Sequence, residues 1–442
     1  MRGLKRCAMA GFKDKVGKLV PTASTDAFDR LRISTPFTLF DGKHLYGSNT
    51  IDGATDGTHE WHYIGSGGDA SYSGSDSTVC LRTDLTSGSS VIKQSRLYYP
   101  YEPGKSQLIE ATGIFGGGSQ AVRQRVGLFD SNNGVYFVSD SGGQFGIGVR
   151  SDATGTVVDS VVYQSSWNND VMDGKRGLHS GPNESGIILD QSKGYIAAMD
   201  FQWLGLGAVR FALVINGDIN LCHVSNHSNL VTQPYMRTST LPIRYEIENL
   251  TTLTTSAEHK TVCSTLMSEG GGKPAGNTFS VSNGVTLREG IGVREPVLAA
   301  RLTDSFLGRD NRLAAEILNG SFYAEDQAVF FEAVLVMVPN SVEGTWTKVF
   351  SDVSGLEYST DIASIDGGHE HQLLSEYVPA ASKGNTTSPS IAGGEAKGIR
   401  DPFHFLTQNF DSTQSELFVV YATSIPGAAA KVSATITWEE TQ

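Results

Sequence analysis

Short runs in which polar and apolar residues alternate, separated by glycine-rich turns, dominate the chain between about residue 90 and residue 300. The clearest alternation lies in Lys105–Phe115, and Val91–Tyr101 is rich in β-branched and aromatic residues. A period of two places successive side chains on opposite faces of a strand. These segments therefore predict β-strands.

Turn-forming sequences separate these predicted strands. Asn132-Asn133-Gly134 and Asn216-Gly217 stand between apolar runs, and such pairs favour tight hairpins because they tolerate positive φ. The stretch Tyr195–His227 holds two β-rich runs around Gly205 and Gly207 and is typical of a meander. Short strands joined in this way predict an all-β fold, an antiparallel β-sandwich of the jelly-roll or lectin-like kind.

The N-terminal segment does not follow this pattern. Asp26–Tyr46 is apolar and aromatic but has neither helical nor alternating periodicity, and Pro36 disfavours a central strand or a helix interior. We therefore expect an extended arm whose apolar side chains are buried against either the surface of the same domain or a neighbouring subunit. The candidate assembly contacts in this arm are Phe28, Leu31, Ile33, Phe37 and Phe40.

The remaining segments complete a three-part organisation. Residues 47–90 are loop-like, Phe306–Gly320 is the best helix candidate, and Ala328–Val338 is a predicted strand. Glu416–Ile425 and Ala430–Glu440 resemble a closing strand pair, whereas 382–398 has the low complexity of an exposed loop. We predict an arm at 1–46, a sandwich domain at 47–300 and a second β-rich domain at 301–442.

Charge adds a basic arm to an acidic body. The formal net charge is −13, yet residues 1–20 contain six basic residues and one acidic residue. The acidic body disfavours general nucleic-acid binding, which depends on Lys and Arg neutralising phosphates. The arm is either a solvated tail or a segment that docks on an acidic neighbour. No apolar run reaches the roughly 18 residues of a membrane span, and no secretion signal is recognisable. We therefore expect neither a membrane span nor a signal peptide.

The candidate chemistry is sparse. His59, Glu60 and His62 lack the spacing that puts two imidazoles on one helical face, and the alternating His369 and His371 lack a third ligand. The four cysteines are scattered, without the close pairs of a zinc site. We therefore expect no catalytic residue, no metal and no cofactor.

Two features leave sugar chemistry open. A glycosidase needs two carboxylates flanking the scissile bond, and the sequence selects no two among six candidates, namely Asp130, Asp140, Asp170, Asp173, Asp190 and Asp200. Sugar binding without cleavage needs aromatic rings that stack on pyranose faces. Trp61 and Trp167, in Gly- or Asn-rich surroundings, are the candidate glycan contacts, whereas Trp203 is predicted to lie in the core.

Several strings resemble a group of virion structural proteins of tailed bacteriophages. The resemblance spans about residues 24–275 and is carried by STDAFDRLRIS (24–34), PFTLFDGKH (36–44), YYPYEPGKSQLI (98–109), RVGLFDSNNGVYF (125–137), DFQWLGLGAVRFALVINGDI (200–219), LPIRYEIEN (241–249) and CSTLMSEGG (263–271). It implies a particle component but not its position in capsid, neck or tail.

These observations give two functional expectations. The first is a non-enzymatic virion component, made in the host cytoplasm, that assembles through its arm and β-domain surfaces with itself as a homo-oligomer and with other capsid, neck or tail proteins. The alternative is a tail-fibre or receptor-binding module that recognises a host surface glycan.

Overall fold

The computed structural model describes residues 36–43, 61–116, 121–175, 185–269, 276–337, 339–381 and 405–441, together with the backbone of 12–13 and 19–20. The described residues form strands, bends and two short 3-10 turns, at Ser141–Gly143 and Gln164–Ser166, and contain no α-helix. The predicted all-β class is confirmed. None of the described segments forms a helix long and apolar enough to cross a membrane.

The first unit is built from strands between residues 37 and 268, preceded by a two-residue pair, β1 (Phe12–Lys13) and β2 (Leu19–Val20). Its strands are β3 (Phe37–Lys43), β4 (Trp61–Ser66), β5 (Gly68–Ser73), β6 (Thr78–Thr83), β7 (Ser90–Ser95), β8 (Gln107–Ile114), β9 (Val122–Phe129), β10 (Gly134–Asp140), β11 (Gln144–Ser151), β12 (Val158–Tyr163), β13 (Tyr195–Phe201), β14 (Val209–Ile215), β15 (Asp218–Ser225), β16 (Ile243–Asn249) and β17 (Glu258–Ser268).

These strands form two antiparallel sheets. One sheet has the order β12-β11-β10-β9-β16-β7-β4, and the other has the order β15-β14-β13-β8-β17-β6-β5, with β3 beside β17. Aromatic rings meet between the sheets, for example Phe137 of β10 and Phe211 of β14, whose centroids lie 5.7 Å apart. Because one buried cluster takes side chains from both sheets, the unit is the predicted sandwich.

The hairpins follow the turn residues. Asn216 and Gly217 have φ values of 56° and 82° and join β14 to β15 in a two-residue loop, as a primed turn requires. The β9–β10 hairpin is also confirmed, but its loop has four residues, and Phe129 pairs with Gly134. At Gly134, φ is 143° and a Cβ would lie 2.1 Å from the Cβ of Phe129, so only glycine fits.

The second unit contains β18 (Asn277–Ser282), β19 (Arg288–Ile291), β20 (Glu295–Leu302), β21 (Ser305–Phe306), β22 (Arg309–Asp310), β23 (Ala314–Ala324), β24 (Val329–Met337), β25 (Ser341–Glu343), β26 (Thr347–Lys348), β27 (Leu356–Ser359), β28 (Ser364–Asp366), β29 (His369–Val378), β30 (Phe405–Leu406), β31 (Leu417–Ser424) and β32 (Ala430–Thr441). Its main sheets are β18-β32-β23-β30, with β19 beside β32, and β26-β27-β20-β31-β24-β29. The rings of Phe322 and Phe331 stack 4.9 Å apart where these two sheets meet.

Strand pairing shifts the predicted boundary between the units. The strands β18, β19 and β20 pair with β31 and β32 near the C-terminus. The change of unit therefore lies between Ser268 and Asn277 rather than at residue 300. Local periodicity identifies a strand but not the strand with which it pairs. For this reason the boundary could not be placed correctly from the sequence.

Two further local predictions are wrong. The helix candidate Phe306–Gly320 is instead a β21–β22 hairpin followed by β23, whose residues alternate between buried and less buried positions. Cross-strand packing against Val432–Thr441 of β32 outweighs the weak helical preference of this stretch. The loop-like region 47–90 contains β4, β5 and β6 among its described residues, because β4 pairs with β7, and β6 pairs with β5 and with the distant β17.

The closing strands exist but do not pair with each other. β31 lies in the sheet with β20 and β24, whereas β32 lies in the opposite sheet between β18 and β23. They therefore close the second sandwich from both sides. The segment 382–398, predicted as an exposed loop, lies outside the described residues.

Candidate functional site

A cleft of about 550 Å³ opens where the two sandwiches meet. This volume lies within the range of about 300–1,000 Å³ that is usual for small-molecule sites. Both units line it. The first contributes Gln94, Tyr98, residues 130–133, Asp152, Arg237, Thr238 and Thr240, and the second contributes residues 308–310, Arg312, Phe410 and Asp411.

A buried ion pair fixes the two walls relative to each other. Arg96, at the end of β7 in the first unit, contacts the carboxylate of Glu416 in the second, and both side chains are buried. Glu416 also accepts hydrogen bonds from the backbone N–H and the hydroxyl of Thr407, at 3.0 and 2.7 Å. His62 of β4 lies 3.3 Å from the carbonyl oxygen of Gln408. The junction is thus built from directional polar contacts, which define one orientation of the two units.

The wall contributed by the first unit is a closed hydrogen-bond network. One oxygen of Asp130 accepts the N–H groups of Asn132 and Asn133, both at 2.7 Å, and so folds the β9–β10 turn. The Asn133 amide then donates to Asp152 at 2.9 Å and accepts from the backbone N–H of Arg237 at 2.9 Å. A 3.2 Å ion pair joins Arg237 to Asp152. These bonds hold three separate chain segments in one rigid wall.

Arginine stacking joins this wall to the second unit. Arg312 donates to the carbonyl oxygens of Asn409 and Phe410 at 3.0 and 2.7 Å, and its guanidinium lies 4.6 Å from the ring centroid of Tyr98. In the reverse direction, Arg244 of the first unit lies 5.6 Å from the ring centroid of Phe410. Such cation–π contacts are worth about 0.5–2 kcal/mol each, more when desolvated.

Burial alters the acid–base behaviour of the cleft. Loss of solvation raises the pKa of Asp130 and outweighs the opposing hydrogen bonds from Asn133 and Asn132. Burial also raises the pKa of Tyr98 to about 12, so its hydroxyl keeps its proton at neutral pH. In a cleft, a carboxyl group with a raised pKa marks a candidate functional position.

The structure corrects the predicted role of two of the five arm residues. Phe37 and Phe40 belong to β3, which pairs with β17, and Phe40 is 8% exposed with its ring centroid 5.2 Å from that of Trp61. Phe37 packs partly buried against the same core. Pro36 directly precedes β3, where its missing N–H does not interrupt the pairing. These two residues are therefore core residues and not assembly contacts. Phe28, Leu31 and Ile33 lie outside the described residues.

The structure also corrects the two predicted glycan contacts. Trp61 is 1% exposed, and the ammonium of Lys93 lies 3.9 Å from its ring centroid. Trp167 is 2% exposed, packs edge-on against Phe145 and donates to the carbonyl oxygen of Val162 at 3.2 Å. Neither ring offers a face to a ligand. Loop composition misled the sequence argument, because both tryptophans stand next to glycine- or asparagine-rich segments but point into the sandwich.

The other chemical candidates do not gather at the cleft. Of the six aspartates considered for a carboxylate pair, Asp130 alone lines the cleft, and Asp170 instead accepts the backbone N–H groups of Met172 and Ser185. His59 and Glu60 lie outside the described residues, whereas His62 is buried at the junction. In the described part of the chain, no group of three or more His, Cys, Asp or Glu side chains could hold a metal ion.

An exposed apolar surface lies at one end of the first sandwich, on two loops that hold each other. The loop after β13 carries Leu204 and Leu206, and the loop after β15 carries Leu230 and Val231; all four are exposed. The N–H of Tyr235 donates to the carbonyl of Gly205 at 3.0 Å, and His227 lies 2.7 Å from the carbonyl of Gly207. We call these four side chains the leucine patch. These four residues carry no distinguishing sequence signal, because they stand in apolar or turn-rich strings.

Comparisons with known proteins identify no family for this chain. No protein-family profile and no curated protein sequence matches this chain. Among solved structures, the endo-1,3-beta-glucanase from Streptomyces sioyaensis is 8% identical, with 53% of this chain and 96% of the other aligned at a TM-score of 0.35. The CBM2 module of the evolved Dit of Lactobacillus casei BL23 phage J-1 is 9% identical, with 54% and 99% aligned at 0.32. The Emp46p carbohydrate recognition domain is 12% identical, with 51% and 97% aligned at 0.27.

Proposed function

We propose that this chain is a non-enzymatic structural component of a tailed-bacteriophage virion, which assembles with itself and with other particle proteins through its β-domain surfaces. The resemblance of its sequence strings to virion structural proteins supports the assignment of the chain to a phage particle. The leucine patch supports assembly, and within it the backbone of Leu204 is the observation that carries the proposal.

Leu204 combines two unfavourable features. Its φ is 37°, in the left-handed region, and it is followed by Gly205 at 73°, a pair of conformations that favours Asn-Gly. The left-handed conformation costs an ordinary L-residue about 1–2 kcal/mol. The side chain is 51% exposed and so recovers little of this cost by burial within its own chain. A partner that buries the leucine would recover it, because burying such a side chain contributes about 1.5–3 kcal/mol.

The joining of the two sandwiches also agrees with a role in assembly. The buried Arg96–Glu416 pair joins two sandwiches into one body, which suits a particle component that must present fixed surfaces. Phe37 and Phe40 are used inside the sandwich, so the leucine patch is the assembly surface that we propose among the described residues.

The test replaces Leu204 with asparagine, the residue its backbone prefers. Leu204→Asn should raise the free energy of unfolding by about 1 kcal/mol while weakening self-association and incorporation into particles. Sedimentation velocity of the full chain and its copy number in purified virions measure the two effects. Val285→Asn is the matched control, because Val285 is fully exposed and lies outside the patch. A wild-type chain that neither self-associates nor enters particles, or a Leu204→Asn chain that assembles normally, contradicts the proposal.

A second function, recognition of a host surface glycan by a tail-fibre module, is favoured by one observation. The cleft between the sandwiches has the size and the mixed polar and aromatic lining of a saccharide site. Immobilised host envelope polysaccharide should retain the purified chain if this function holds. Failure to bind any host polysaccharide argues against it without affecting the assembly proposal.

A further inference from the structure

The side chain of Gln94 carries an unmet hydrogen-bonding demand at the cleft. It stands on β7, is 1% exposed and lines the cleft between the two units. Its amide nitrogen lies 3.5 Å from the Tyr98 hydroxyl, and its amide oxygen has no partner among the described residues. The single contact of the amide, to the Tyr98 hydroxyl, is at the long limit of a hydrogen bond. A buried polar group left in this state costs about 1–3 kcal/mol.

Asp130 offers a second hydrogen-bonding group at the cleft. One of its oxygens is occupied by the two N–H groups of the β9–β10 turn. No ion pair to Asp130 occurs in the described part of the chain, although Arg244 and Arg312 are near enough to lower its pKa slightly against the effect of burial. This carboxyl group can therefore accept further hydrogen bonds from a ligand.

The balance of charge around the cleft indicates a neutral ligand. Four aspartates line it, at positions 130, 152, 310 and 411, together with three arginines at 237, 309 and 312. An anion would face the carboxylates, and a cation would face the guanidinium groups. A hydroxyl group suits both, because it donates one hydrogen bond and accepts two, and it satisfies the Gln94 amide in either orientation.

The aromatic lining narrows the ligand class further. Tyr98 and Phe410 both line the cleft, but the Tyr98 ring is buried under the Arg312 guanidinium, whereas Phe410 is half-buried and lies next to the polar groups. A pyranose combines hydroxyl groups at its rim with an apolar C–H face, which packs against aromatic rings. A linear polyol lacks that face.

We propose that the cleft between the two sandwiches is a binding site for a neutral saccharide, whose hydroxyl groups hydrogen-bond Gln94 and Asp130 and whose apolar face packs against Phe410. The inference deepens the glycan-recognition function and rests on it for its biological role. It is independent of the leucine patch.

The experiment is calorimetric titration of the full chain with neutral probes, namely glucose, galactose, mannose, N-acetylglucosamine, and the disaccharides maltose and lactose, with inorganic phosphate as the charged comparison. The key variant is Gln94→Met, which keeps the volume and removes the polar atoms. It should bind the preferred sugar roughly 3- to 10-fold more weakly, as expected for the loss of one hydrogen bond, while its urea midpoint stays the same or rises. If Gln94 had only a structural role, Gln94→Met would lose stability together with affinity.

A second variant tests the site without altering a buried residue. Ser131→Trp enlarges an exposed side chain on the rim of the cleft and should abolish sugar binding, whereas Thr154→Trp, on the next exposed turn outside the cleft, should bind as the wild type does. The site is refuted if no neutral probe binds the wild type, if phosphate binds in preference, or if Ser131→Trp binds normally. If sugar binds as proposed but does not inhibit attachment of the chain to host cells, the site stands and the receptor function fails.

Discussion

Removing one partner of the Arg96–Glu416 pair should destabilise the chain more than removing both. In Arg96→Met, the Glu416 carboxylate stays buried in the second unit with only the Thr407 N–H and hydroxyl as donors. Breaking a buried pair from one side costs about 3–5 kcal/mol, because the remaining charge is uncompensated. We therefore expect Arg96→Met to lower the free energy of unfolding by that amount.

The double variant tests the reason for this loss. Replacing both residues, as Arg96→Met with Glu416→Gln, removes the buried charge, while the glutamine oxygen can still accept from Thr407. The double variant should therefore recover much of the stability lost in Arg96→Met, and the double-mutant cycle should give a coupling of about 2 kcal/mol or more.

The assay is urea unfolding followed by tryptophan fluorescence. Trp61 and Trp167 report on the first sandwich and Trp438 on the second, and all three are buried. A pair that joins the units should, when broken from one side, also separate one cooperative transition into two. Arg82→Met serves as the control, since the Arg82–Glu258 pair lies exposed on the first unit and should contribute less than about 1 kcal/mol. An Arg96→Met variant as stable as that control would refute the view that this pair couples the sandwiches.

Two further predictions concern the core of the first sandwich. Burial lowers the pKa of His259 to about 3, so between pH 6.5 and pH 3 the unfolded chain binds a proton that the folded chain excludes. The free energy of unfolding should therefore fall as the pH drops below 6.5, by about 2 kcal/mol at pH 5 from this residue. Urea midpoints at pH 7.5 and pH 5 measure this loss. A His259→Gln variant with undiminished pH dependence would contradict the prediction. Gly134→Ala should lower the free energy of unfolding by more than about 2 kcal/mol, because the added Cβ would overlap Phe129. Gly155→Ala is the control, since a Cβ there meets nothing within 4 Å. Equal melting temperatures for the two variants would show that the strand pair absorbs the clash.

Local sequence determined the strands and turns that depend on neighbouring residues. Alternation in β8 and turn residues such as Asn216-Gly217 act within a few positions, and the structure follows both. The all-β class could be predicted for the same reason, since pleated strands expose their period of two directly in the sequence.

Only the tertiary structure decided the partners and the orientations. β32 pairs with β18 and β23, which lie far from it in sequence, and this pairing turned a helix candidate into a strand and moved the boundary between the units. Trp61 and Trp167 look exposed by composition but are buried, because a side chain faces the core or the solvent according to the register of its strand or loop. The cleft depends on the same long-range contacts: Gln94, Tyr98 and Arg312 meet only where the two sandwiches touch. No local pattern encodes such a meeting, since its residues are brought together by the packing of whole sheets.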